Sequence, residues 1–90
     1  MNELFEKAKQ LIEESSGTCI ARNSRLIDSD TLTWVVDDTI YIEFEQDEYE
    51  DIKINIDNIR DIKFDVIGAM TVIVLYLKRL KPILIHCLPY

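Results

Sequence analysis

Ninety residues, 48% of them hydrophobic, with only two Gly and two Pro, make one small folding domain rather than a disordered chain. A net charge of −7 argues against direct phosphate binding, which needs a basic footprint. The charged opening MNELFEKAKQ lacks a signal-peptide core, and the longest apolar stretch, Val66 to Leu77, is too short to span a bilayer as a helix; both predict a cytoplasmic protein with no membrane partner.

In chain order, residues 2–15 read as an amphipathic helix. Leu4, Phe5, Ala8, Leu11 and Ile12 fall on one stripe of a 3.6-residue period. Asn2 suits the N-cap, and Ser15-Ser16-Gly17 suits the stop. The polar face is mixed and slightly acidic, so this helix is expected to pack on a sheet rather than lie on a membrane.

After Gly17 the period becomes two. Residues 18–27 read as a weak strand. Leu32, Trp34 and Val36 alternate with Thr33 and Val35, and Trp34 is read as a core residue. Asp37-Asp38 forms a two-residue turn into the strand 39–45, where Ile40, Ile42 and Phe44 read as inward and Tyr41, Glu43 and Glu45 as outward. Ile52, Ile54 and Ile56 alternate with Lys53, Asn55 and Asp57. Asp57-Asn58 signals a turn, and Ile62, Phe64 and Val66 carry the pattern onward. Residues 69–77 and Ile83–Ile85 are apolar on both faces, with a turn over 78–82 between them.

The fold class is therefore α+β: an N-terminal helix packed on a mostly antiparallel meander of about six strands over 18–88, all in one domain. A strand apolar on both faces is buried on both. The helix covers one face of 69–77, and the other calls for a curled, barrel-like sheet or a homodimer through that segment.

Chemistry is sparse. The single histidine, His86, neighbours Cys87, but adjacent strand residues point to opposite faces, so they make a poor nucleophile–base pair. His86 reads as a buried, satisfied histidine. Cys19 and Cys87 form no disulfide framework and no four-thiolate metal site, and read as two small reduced thiols. Neither a Gly-rich phosphate loop nor an HExxH motif occurs. Asp47, Glu48, Glu50 and Asp51 cluster in a loop without EF-hand spacing and read as solvated acid rather than a cation site. Neither an enzyme nor a cofactor or metal protein is expected.

What remains is charge layout. Residues 37–51 carry eight carboxylates and no Lys or Arg. Residues 28–65 hold thirteen acids against three bases, −10, while the flanks hold four against seven, +3. A basic protein partner, such as a nucleic-acid-handling enzyme, is the natural complement. Tyr41, Glu43, Glu45, Asp47, Glu48, Tyr49, Glu50 and Asp51 are the expected partner-binding residues: carboxylates standing in for phosphates, tyrosines as anchors. In size and charge alone, the chain is similar to phage-encoded inhibitors of restriction and CRISPR enzymes. That resemblance implies an inhibitor or adaptor without catalytic activity. The competing expectation is a structural or assembly subunit that oligomerises through its apolar C-terminal strands.

Overall fold

The computed structural model of the protein describes residues 2–15, 19–22, 31–44 and 50–87, and for 19–22 and 31 the backbone alone. Helix α1 spans Asn2–Ser15, followed by strands β1 (Cys19–Arg22), β2 (Thr31–Val36), β3 (Thr39–Phe44) and β4 (Ile52–Asn55). A short 3-10 turn, Ile56–Asn58, leads into β5 (Ile59–Ile67), β6 (Met70–Leu77) and β7 (Ile83–Cys87).

Among the described residues, seven strands form two antiparallel sheets, one ordered β1-β7-β6-β5 and one ordered β2-β3-β4. Neither sheet closes on itself, which corrects the barrel-like expectation. The doubly apolar strand β6 is handled differently. It runs inside the larger sheet, and its inner face (Ile73, Leu75, Leu77) joins a core shared with α1 and the smaller sheet. Its other face is also largely withdrawn from solvent: Val72 is buried, and Val74 and Tyr76 are half-buried.

Sequence periodicity explains the helix. Phe5, Ala8 and Ile12 recur at three- and four-residue steps, and all three are buried. Leu11 is half-buried, and Leu4 sits at the edge of the stripe, exposed. Asn2 is already helical rather than a cap, and the helix ends at Ser15, whose buried Oγ donates to the Ile12 carbonyl at 3.0 Å. Lys7 reaches over the Phe64 ring at 4.5 Å, tying the polar side of α1 to β5.

The core is one cluster with three walls. Alongside α1, the smaller sheet contributes Ile40, Ile42, Phe44 and Ile54. The larger contributes Ile59, Ile62, Ile73, Leu75, Leu77, Ile83, Ile85 and Cys87. Asp57-Asn58 falls in the 3-10 turn, with Asn55 Oδ1 accepting from the Asp57 amide at 2.9 Å. A bulge at the start of β5 shifts the register between Ile59 and Asp61.

Candidate functional site

Strands β2, β3 and β4 pair in a register that sorts their side chains into two sets. Thr33 lies opposite Ile42, and Val35 opposite Ile40, facing the core. On the other face Leu32 lies opposite Glu43, Trp34 opposite Tyr41, and Val36 opposite Thr39, with Lys53 and Asn55 of β4 continuing the last two rows. Directly opposed residues share a face. Trp34 therefore points outward with Tyr41, which corrects its assignment to the core.

The result is an exposed apolar stripe. Leu32 is 51%, Trp34 39% and Val36 49% exposed. The Trp34 and Tyr41 rings stack at 5.6 Å between centroids with 7° between planes, and Lys53 Nζ sits 5.9 Å from the Tyr41 ring. Stacking leaves Tyr41 half-buried and holds both rings in one orientation. Below them, Asn55 Nδ2 donates to Thr39 Oγ1 at 3.3 Å.

Carboxylates rim this face. Glu43 stands beside Leu32, and Asp37 and Asp38 form the turn between β2 and β3, all exposed. Asp37 holds a left-handed backbone, φ 52°, where a tight hairpin favours glycine. Glu50 and Asp51 are exposed just before β4. Of the expected partner-binding residues, Tyr41, Glu43, Glu50 and Asp51 thus belong to or border the three-stranded sheet. Glu45, Asp47, Glu48 and Tyr49 lie outside the described residues.

Sequence reasoning missed Leu32, Trp34, Val36 and Lys53. The signal was present. A two-residue turn at Asp37-Asp38 pairs Val36 with Thr39 and hence Trp34 with Tyr41, so both must lie on the face opposite Ile40 and Ile42.

The free edge of β4 offers a second concave feature. Ile56 donates its amide to the Asp38 carbonyl at 2.8 Å, which by strand alternation turns the main-chain groups of Lys53 and Asn55 away from β3. A groove of about 300 Å³ runs along this edge, with Ile52, Leu77 and Leu80 giving it apolar walls and Lys53, Lys78 and Arg79 a cationic margin. Its charge is opposite to that of the acidic rim.

His86 is half-buried on the outer face of β7, opposite Val72, while Cys87 is buried on the core face. The two point apart as strand alternation requires. Among the described residues, no group of three or more His, Cys, Asp or Glu could hold a metal ion, and no helix is long and apolar enough to cross a membrane. Compared with known protein families, characterised proteins and solved structures, the chain matches none.

Proposed function

We propose that the protein is a non-enzymatic binding module, an inhibitor or adaptor that docks a basic protein surface with the outer face of β2, β3 and β4. The observation that carries this reading is the stacked Trp34–Tyr41 pair, flanked by exposed Leu32 and Val36 and rimmed by Asp37, Asp38 and Glu43. Aromatic anchors in an apolar centre supply most of the binding energy at protein interfaces, while rim charges steer encounter. An apolar centre also sets this face apart from a pure phosphate mimic, whose charges would run without interruption. The occupant it suits is a folded protein with an apolar patch edged by Lys and Arg, a nucleic-acid-handling enzyme among them.

The test is capture from lysate of the source organism at low and high salt. Wild type is compared with Trp34→Ala and with a Glu43→Lys/Glu50→Lys/Asp51→Lys variant, each first checked for folding. Basic proteins retained by wild type and lost by both variants support the reading. Equal retention by all three rules it out.

A second reading, assembly with copies of itself through 69–77, draws support from the outer face of the larger sheet, where Val74 and Leu84 pair side by side, half-buried. Strand β6 is already paired on both edges, so such a dimer would have to stack faces rather than extend the sheet. Val74→Lys separates the readings: it would abolish self-association and leave partner capture intact.

A further inference from the structure

Strand β1 joins the larger sheet at the outer edge of β7, and the register runs unbroken over four pairs: Cys19 with Cys87, Ile20 with His86, Ala21 with Ile85, Arg22 with Leu84. The chain has only two cysteines, and the fold sets their backbones directly opposite each other. Opposed residues in an antiparallel pair have Cα atoms about 4.5–5.5 Å apart, inside the range of about 4.4–6.8 Å that disulfides span. Directly opposed backbone positions of an antiparallel pair belong to one face of the sheet. For Cys87 that is the core face, where it is 5% exposed. The opposite edge of β7 is held by β6, with Thr71 across from Cys87, so this end of β7 is fixed on both sides.

We propose that Cys19 and Cys87 are a built-in covalent site, closing one intramolecular cross-strand disulfide by exchange with a small-molecule disulfide. The two thiols give up two electrons and two protons. The reagent's S–S bond breaks, takes them up and departs as two thiols, through a mixed disulfide on one cysteine. The bond locks β1, a four-residue edge strand, to the last strand of the sheet. Burial of Cys87 shields the closed bond from reductants, and a long enclosed loop is where such a crosslink constrains the unfolded chain most. No other intramolecular pairing exists, so the oxidised product is defined.

Full-length protein is equilibrated with reduced and oxidised glutathione over a range of ratios, in buffer and in strong denaturant. Each sample is acid-quenched, its remaining thiols are alkylated under denaturing conditions, and the intact mass is read. The expected product is a monomer lighter by two hydrogens that takes up no alkylating agent, with a Cys19–Cys87 linked peptide in the digest. Folding should favour this product by more than about tenfold in equilibrium constant over the denatured chain. By the same thermodynamic cycle, oxidised protein should unfold at higher urea concentration than reduced protein. Glutathione adducts in place of the crosslink, covalent dimers, two alkylated thiols at oxidising ratios, or an equilibrium constant and urea midpoint no higher than the reference would each overturn the proposal.

Discussion

Three positions separate burial, hydrogen bonding and backbone strain as sources of stability. Ile42 is fully buried at the centre of the smaller sheet, between Thr33 and Ile52. Ile42→Asp buries a carboxylate against apolar neighbours and should cost several kcal/mol, a large share of the roughly 5–15 kcal/mol available to a small domain. Loss of the cooperative thermal transition is the expected readout, and a folded variant would refute the assigned face. Thr33 is buried, and its Oγ1 has no hydrogen-bond partner among the described residues. Thr33→Val keeps the shape and removes an unsatisfied group, so urea unfolding should show unchanged stability or a gain of up to about 1 kcal/mol. Asp37 holds φ 52° in the β2–β3 turn. Left-handed backbone costs a residue with a Cβ about 1–2 kcal/mol, and Gly gives back about 0.5–1 kcal/mol in chain entropy. Asp37→Gly should therefore raise stability by about 0.5 kcal/mol in the same assay.

At the scale of elements, the β2–β3 hairpin shows how far pattern alone reaches. Alternation located both strands, and the two aspartates located the turn. The inward set of β3 (Ile40, Ile42, Phe44) follows from period two because Tyr41 and Glu43 are poorer core residues. In β2 the same hydrophobicity argument fails. Leu32, Trp34 and Val36 are more apolar than Thr33, yet register with β3 puts them in solvent and buries Thr33. Hydrophobicity ranks the two faces of one strand, whereas hydrogen-bonded pairing obeys the neighbour. The β5–β6 hairpin turns at Gly68, φ 61°, where an added Cβ would meet nothing within 4 Å. Gly68→Ala should thus cost backbone strain less the chain entropy that Ala recovers, a net of about 0.5–1 kcal/mol, with no steric penalty. A larger loss in urea unfolding would mean that the turn packs more tightly than its open surroundings indicate. The neighbouring Val66 and Ile67, 76% and 61% exposed, lie past the point where the core covers the strand.

For the whole molecule, charge layout sets the expected behaviour of the binding face. Reversing Glu43, Glu50 and Asp51 to Lys adds two charges at each position and moves the formal net charge from −7 to −1. All three are exposed, and surface changes of this kind usually alter stability by less than about 0.5 kcal/mol each. Association with a captured partner should slow, and its salt dependence should flatten, because steering charges act on the on-rate and are screened by salt. Trp34→Ala should act on the off-rate instead, by removing a desolvated anchor. Stopped-flow measurements at two salt concentrations separate the two effects. An unchanged rate and salt slope in the triple variant would reduce the acidic run to a solubility feature.

The sequence by itself determined the helix to its last residue, the two-residue turn at Asp37-Asp38, the inward face of β3, and the concentration of acid in the middle of the chain. These are local properties: periodicity, turn chemistry and composition act within a few residues. Tertiary structure decided what depends on pairing between distant segments. It split the expected single meander into two sheets, because β7 pairs with β1 at one edge and β6 at the other while β2–β4 stand apart. It covered the inner face of the doubly apolar β6 without closing a barrel, because α1 and the smaller sheet together wall that face. It turned Trp34 out beside Tyr41, and it set Cys19 opposite Cys87 although 67 of the 90 residues lie between them. Periodicity tells a strand which residues alternate, but only its hydrogen-bonded neighbours tell it which set faces the core.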